Sequence, residues 1–227
     1  PASSGQQFGV GVGGPIVIAR THVFANYEGR RARDRNIVIS PVARGAEAPD
    51  TQDEHLVFAR LDHQATARQL LTTRYSGQIF RWHHEPGGLT LPGSGTGYTN
   101  DVHTLLVTHA LQSPSNRLNE FRVQFARYVD IRTDLQPSVF ISRAGYSISG
   151  GALGPTGFSA NPEGTWEAAD TFSHSHGHHS FEAGGALSYV RAHTTALSYG
   201  HGAYFFAGAP DLYPRPFLFV QGFAPAS

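Results

Sequence analysis

The chain has 227 residues and balances 17 basic against 17 acidic side chains, for a formal net charge of +0. That balance excludes the usual electrostatic nucleic-acid binder, which needs a net basic face. Cysteine is absent, which excludes disulfides, thiolate nucleophiles and cysteine-bound metal centres. Charged residues make up only 15% of the chain, whereas disordered chains are rich in charge, so we expect a folded protein.

The N-terminal segment is small and polar and contains five glycines. Such a composition favours a flexible arm. We therefore assign residues 1–14 to an N-terminal arm, residues 15–223 to a single domain and residues 224–227 to a C-terminal tail. No recognisable targeting segment opens the chain.

The domain is dominated by strand patterns. The clearest covers Phe121–Arg132, where five of the six odd-numbered positions are apolar, as in a half-buried antiparallel strand. The other apolar and β-branched segments are each bounded by Gly, Pro, Asn, Asp or Ser. They cover residues 16–25, 36–40, 56–61, 78–82, 103–111, 139–148, 186–192, 196–199, 203–207 and 217–223.

A helix is predicted only over residues 65–73, and long loops are predicted over residues 44–54, 85–100 and 150–179. Many short strands with almost no helix are typical of sandwiches and barrels. We therefore predict an all-β fold: an antiparallel β-sandwich of jelly-roll type, with about ten strands, long loops and one short helix. Because no apolar run approaches the ~20 residues of a membrane helix, we expect no membrane span.

A histidine-rich segment is the most conspicuous candidate for a metal site. Imidazole is a common metal ligand, so a divalent metal here is the one cofactor that the sequence suggests. The pattern His176-x-His178-x-x-x-Glu182 resembles the first metal-binding box of the cupins, which would imply a metal-dependent enzyme. Asp170 and Tyr189 replace the glycines of that box, and a second box is missing. The alternative is a hydrated loop. The candidate ligands are His174, His176, His178, His179 and Glu182.

A second candidate function is carbohydrate binding or hydrolysis by a secreted sandwich. Trp82 and Trp166 are the candidate sugar-stacking rings. Glycosidases need two carboxyl groups about 5–10 Å apart, and the candidates are Glu163, Glu167, Asp170 and Glu182. Because no catalytic motif is complete, we predict that the chain is not an enzyme.

Our main prediction is a structural subunit of a homo-oligomeric assembly, such as a virion capsid or decoration protein, or an extracellular shell or fibre. Low charge, long loops and Gly/Pro-rich ends motivate it. The expected partners are copies of the chain, other subunits of the same assembly, or a surface glycan; nucleic acid is not expected. The expected location is a virion or the extracellular space. Arginines and aromatic residues are enriched at subunit contacts, and the candidates are Arg30, Arg31, Arg33, Arg35, Tyr204, Phe205, Tyr213 and Phe217.

Overall fold

A computed structural model describes residues 3–151 and 158–223, in which thirteen strands and no helix are present. The all-β prediction is confirmed. In the part of the chain so described, no helix is long and apolar enough to cross a membrane. The strands are β1 (Ser4–Val17), β2 (Thr21–Ile37), β3 (Glu47–Thr66), β4 (Gln69–His84), β5 (Thr96–Ser113), β6 (Arg117–Asp134), β7 (Phe140–Arg143), β8 (Ser147–Ser149), β9 (Phe158–His176), β10 (His179–Ala192), β11 (Thr195–Leu197), β12 (Ala203–Phe206) and β13 (Leu218–Val220).

Eight long strands form one antiparallel meander in the order β1-β2-β3-β4-β5-β6-β9-β10, and the short β11 pairs with β9. The strands β1 and β10 are the two edges of this path. Within the described ranges these two edge strands make no contact with each other. A smaller sheet has the order β13-β12-β7-β8, and its β12–β7 pair is parallel.

The alternation predicted for residues 121–132 is present in β6 and continues across the sheet. Directly opposed residues of antiparallel strands point to the same side, so each register places one row of side chains on one face. We call the face that carries the following row the apolar face, and the opposite one the polar face. The row is Val12, Ala25, Ala59, Tyr75, Leu105, Phe125, Trp166 and Tyr189.

The apolar face is not covered by a second sheet. Val12 is 68% exposed and Leu187 is 74% exposed. The chain has an accessible surface of 14250 Å², whereas a soluble monomer of this mass would expose about 10,000 Å². The jelly-roll sandwich prediction is therefore wrong. A period of two shows that one side of a strand avoids water, but it does not show what covers that side.

The connections differ sharply between the two ends of the meander. At one end the strands are joined by two or three residues: 18–20, 67–68, 114–116 and 177–178. Asn116 (φ 52°) and Gly177 (φ 60°) take the left-handed backbone that such tight turns need and that Asn and Gly tolerate best. At the other end the connections are long, over residues 38–46 and 85–95 and, between β6 and β9, over a stretch described as far as residue 151. We call these the short-turn end and the long-connection end.

Three local predictions are corrected by these bounds. The predicted helix over residues 65–73 is the β3–β4 hairpin, because the chain turns at residues 67–68. Residues 4–14, predicted as arm, belong to β1, where every residue from Ser4 to Pro15 pairs with β2. The predicted loops shorten because β3, β5 and β9 occupy much of them. The predicted tail, 224–227, lies outside the described residues.

Most of the buried residues lie outside the meander, in the long connections and the C-terminal segment. We call residues 38–46, 85–95, 135–151 and 198–223 the loop cap. Its segments are joined by isolated backbone bridges, Val38 to Gly88 and Thr90 to Ile148. The Ser40 hydroxyl donates to the Tyr146 carbonyl at 2.9 Å. Apart from glycines, the buried residues of the loop cap are Val38, Ser40, Glu85, Thr90, Ser94, Ser147 and Ala203.

Glu85 is the charged residue that the loop cap buries most, at 7% exposure. Its carboxylate accepts a hydrogen bond from the Gly93 amide at 2.9 Å and lies 3.3 Å from the His83 ring nitrogen. Its own carbonyl accepts from the Asn36 side chain at 2.7 Å. Glu85 therefore links the two ends of the 85–95 connection through its carboxylate, and links this connection to β2 through its carbonyl.

We predict that Glu85→Ala loosens the loop cap without unfolding the meander. Removing the carboxylate leaves the Gly93 amide without its acceptor, at a cost of about 1–3 kcal/mol. Cleavage of residues 85–95 by thermolysin, mapped by mass spectrometry, should accelerate by about tenfold, because proteolysis follows the population of the open segment. Glu47→Ala, which removes an exposed ion pair with Arg35, is the control. Equal cleavage of both variants would contradict the role assigned to Glu85.

Candidate functional site

The apolar face carries a band of exposed apolar side chains that is clearest on its two edge strands. On β1 the band runs from Phe8 to Ile16, and on β10 it runs from Phe181 to Tyr189. Each interval is eight residues, or about 26 Å along a strand at ~3.3 Å per residue. Strands of membrane barrels are tilted by about 40° from the barrel axis, and at that tilt the band would be about 20 Å tall along this axis. This height is close to the ~25 Å apolar band of membrane barrels. An exposed patch of this size marks an interaction or membrane surface in a protein.

Aromatic side chains border this band toward the long-connection end. Phe125, Trp166 and Tyr189 are direct neighbours in one cross-strand row. The Phe125 and Trp166 ring centroids are 4.5 Å apart. Trp166 and Tyr189 are 54% and 62% exposed. Rings with one apolar and one polar end prefer the boundary between hydrocarbon and water.

The polar face holds networks of charged and hydroxyl side chains. Arg60 and the Thr72 hydroxyl both bind the Asp62 carboxylate, at 2.8–3.0 Å and 2.7 Å. The Gln78 amide donates to Glu54 at 2.8 Å, and Arg30 binds the same carboxylate. A face with such satisfied polar groups is suited to contact with water rather than hydrocarbon.

Asp130 is the centre of one network on the polar face, beyond the apolar band toward the long-connection end. It is 8% exposed and accepts hydrogen bonds from the Tyr98 hydroxyl at 2.7 Å and the Tyr128 hydroxyl at 3.1 Å. The Arg132 guanidinium lies 5.3 Å from the centre of the Tyr98 ring. Burial, together with the hydrogen bond to Asp130, raises the pKa of Tyr98 to about 12.

The arginines predicted to contact other subunits instead bind the neighbouring strand of the same chain. Arg31 and Arg33 share the Asp53 carboxylate at 2.8–2.9 Å, and Arg35 binds Glu47 at 2.7 Å. They lie inside β2. Burial alone would raise the pKa of the Asp53 carboxyl, but the hydrogen bonds and charges of the two arginines hold it below its usual value.

The aromatic residues predicted at the same interface lie in the loop cap. Tyr204 packs on Phe219 with centroids 4.7 Å apart, and Phe205 packs on Phe140 at 5.8 Å. The Tyr213 carbonyl accepts a hydrogen bond from Arg143 at 3.2 Å. The Phe217 amide donates to the Phe205 carbonyl at 2.9 Å, although its ring is 69% exposed.

The structure does not bring the cupin-type ligands together. His174 and His176 lie on the apolar face of β9 with ring centroids 6.2 Å apart, and His179 opposes His176. His178 lies in the turn. Glu182 is three residues from His179 along β10 and therefore points to the polar face. No three His, Asp or Glu side chains of residues 3–151 and 158–223 are placed to hold a metal ion.

The predicted sugar-stacking tryptophans lie on opposite faces. Trp82 is on the polar face and its indole N–H donates to Asp50, whereas Trp166 is on the apolar face. The candidate carboxylates are divided in the same way. Glu163, Glu167 and Glu182 are on the polar face, and Asp170 is on the apolar face, where Asn119 donates to it at 2.8 Å. The candidates therefore do not form one cleft.

Comparisons with known proteins identify the class to which this arrangement belongs. A family model described as "Outer membrane beta barrel domain" matches residues 42–212, about three quarters of the chain. The crystal structure of the outer membrane transporter YddB from Escherichia coli has a similar fold, with a TM-score of 0.69 over 90% of this chain. The two sequences are 10% identical, and the match spans 28% of the transporter chain. No curated protein matches the sequence.

The chain therefore belongs to the outer membrane beta barrel domain family. This finding corrects the predicted function, because a capsid or shell subunit, a carbohydrate-binding sandwich and a cupin-like enzyme are all contradicted by it. It also corrects the predicted partners and location. The outer membrane replaces the virion or extracellular space, and membrane embedding replaces self-assembly without a membrane span. The absence of enzymatic activity and of a cofactor stays a prediction.

Sequence reasoning missed the residues that matter most for this class. The aromatic row of Phe125, Trp166 and Tyr189 and the Asp130 network were not recognised as features of one surface. The alternation in 121–132 was a sufficient signal for the two faces of β6. The neighbouring β2 and β3 alternate less regularly, because Arg31, Arg33 and Asp53 share the apolar face with Val23 and Val57.

Tyr98 provides a prediction about pH. Its pKa in the folded chain lies above the value of about 10 for an unfolded chain. The neutral phenol therefore contributes stability that is complete below pH 10 and is lost as the pH rises toward 12. We expect the free energy of unfolding in urea to fall less steeply from pH 9 to 12 in Tyr98→Phe than in the unaltered protein. Tyr204→Phe, in the loop cap, is the control. Parallel pH profiles for Tyr98→Phe and the unaltered protein would contradict this assignment.

Proposed function

We propose that this chain forms part of the wall of an outer-membrane β-barrel, with its apolar face toward lipid and its polar face lining an aqueous lumen. The single observation that carries the proposal is the row of apolar and aromatic side chains, from Val12 to Tyr189, that crosses all eight long strands on one face, opposite the charged networks of the other. Lipid-exposed barrels alternate apolar outward and polar inward residues along each strand in this way. The bordering aromatic row supports the same arrangement.

The two ends of the sheet support an orientation in the membrane. Bacterial outer-membrane barrels have short turns on the periplasmic side and longer loops on the extracellular side. The connections of two to three residues therefore face the periplasm. The loop cap then lies on the extracellular side, where its buried contacts hold the long connections in one arrangement.

We further propose that the polar face provides a passage for small polar solutes. The structural neighbour is named as a transporter, but it supports only the fold at 10% identity. The stronger support comes from the polar face itself, where Arg122, Gln124 and Glu167 lie at the level of the apolar band on the opposite side. Charged side chains at this depth are tolerated where they line a water-filled space.

The absence of cysteine makes a direct test possible, because every introduced cysteine is unique. Single cysteines at each position from Phe121 to Ala126 on β6, the part of this strand that lies at the level of the apolar band, would be exposed to a water-soluble maleimide in lipid vesicles. We expect the even positions to react and the odd positions to be protected, because only the even side chains face water. Reaction at odd positions, or uniform reaction, would contradict the proposed function.

A charge placed on either face of the same strand should give opposite results. Val123 lies on the apolar face with Val107 and Ala168 beside it, and Gln124 lies on the polar face. We expect Val123→Arg to lower the free energy of unfolding in lipid vesicles by about 2–4 kcal/mol, the cost of arginine near the bilayer midplane. Gln124→Arg should have little effect. Urea titration monitored by tryptophan fluorescence measures both, and equal losses would refute the lipid-facing assignment.

A further inference from the structure

Two arginines on the apolar face stand directly beyond the aromatic row, toward the long-connection end. Arg127 on β6 and Arg191 on β10 are both opposite Gly164 on β9, in one cross-strand row. They are therefore two strands apart, or about 9–10 Å by the usual strand spacing. Phe125, Trp166 and Tyr189 form the next row on the same face, two residues toward the short-turn end.

Neither guanidinium has an ionic partner within residues 3–151 and 158–223, although most other arginines of this face at this end of the sheet do. Asp101, one row further along β5, is bound by Arg81. Glu163 lies on the opposite face of β9. Both arginines are exposed. The pair therefore presents two positive charges that the described part of the chain does not neutralise.

Gly164 leaves an open gap between the two arginines. A Cβ atom built at this glycine would approach only the edge of the Phe125 ring, at 4.0 Å. Long arginine side chains can lean over the gap from both sides. The floor of the gap is backbone, and the side that faces the band is aromatic.

We propose that Arg127, Arg191 and the gap at Gly164 form a binding site for the phosphate headgroup of an anionic membrane lipid. This proposal rests on the proposed function, since it needs the apolar face to lie in lipid. Guanidinium groups bind phosphate oxygens in a bidentate manner that a compact ammonium cannot reproduce. The row of Phe125, Trp166 and Tyr189 is placed to contact the acyl chains of the same lipid. The site thus combines headgroup and chain recognition at the depth of the membrane boundary.

Trp166 lies next to the site and can report on it. The chain has two tryptophans, so Trp82→Phe leaves Trp166 as the single fluorophore. The protein would be reconstituted in phosphatidylcholine vesicles that contain either brominated phosphatidic acid or brominated phosphatidylcholine. Bromine quenches tryptophan on contact, so the ratio of the two quenching curves measures headgroup preference at Trp166.

We expect phosphatidic acid to be preferred, and expect Arg127→Gln and Arg191→Gln each to lower that preference by about fivefold. Gly164→Leu keeps both arginines but fills the gap, and it should also abolish the preference. Arg122→Gln, on the polar face of the same strand, is the matched control and should leave the preference unchanged. Loss of preference in the control alone, or no change in the first three variants, would overturn the proposal.

Two further outcomes separate the sources of failure. Millimolar inorganic phosphate should not displace the brominated lipid, because free phosphate lacks the acyl chains; full displacement would assign the site to free phosphate and overturn the lipid proposal. Equal quenching by both brominated lipids would overturn the headgroup site while supporting the lipid-facing sheet. Absence of quenching by either lipid would overturn the proposed function itself.

Discussion

The backbone hydrogen bond is the interaction on which this structure depends. Hydrocarbon offers no partner for an N–H or C=O group, so a strand can lie in a membrane only if its neighbours satisfy it on both sides. The registers from β2 to β9 provide this without a long interruption, over strands of 16 to 20 residues. Side chains are then free to divide between two faces, since neither face has to supply the bonds that hold the sheet together.

This division explains why the chain has almost no conventional core. In a water-soluble sandwich the apolar faces of two sheets cover each other, whereas here no second sheet covers the apolar face, which the proposed function assigns to lipid. Burial among protein atoms is concentrated in the loop cap, where the long connections pack on one another. Val38 and Ala203 are fully buried there, while Leu187 in the meander is mostly exposed. The location of the buried residues is thus a consequence of the solvent that each part of the chain faces.

The sequence contained enough information for the strands but not for their environment. Residues 121–132 were correctly interpreted as a two-sided strand, yet a strand that faces lipid and one that faces a second sheet have the same alternation. The membrane was excluded for a reason that applies only to helices, because a barrel strand crosses with about 9–11 alternating residues and never forms an apolar run of ~20. The histidines and tryptophans suggest a metal site and a sugar site because of the chemistry of their side chains. Which of these side chains lie together could not be predicted, because the strand register decides the face on which each one lies. His176 and Glu182, for example, lie on opposite faces.

The two edge strands of the meander are under the same constraint, because their backbone groups also need hydrogen-bond partners. The strands β1 and β10 keep the alternation of their neighbours, with Val10 and Leu187 on the apolar face, but each has a strand on one side only within the described residues. Edge strands of soluble proteins are protected by charges, prolines or bulges that discourage further pairing. Here the middle of each edge presents apolar and small residues, including Gly11 on β1 and Gly185 on β10, that leave the backbone accessible. In a bilayer the outer backbone groups of both edge strands have to be hydrogen-bonded to a further strand. A sheet with one face in lipid therefore needs edges that can accept a neighbouring strand.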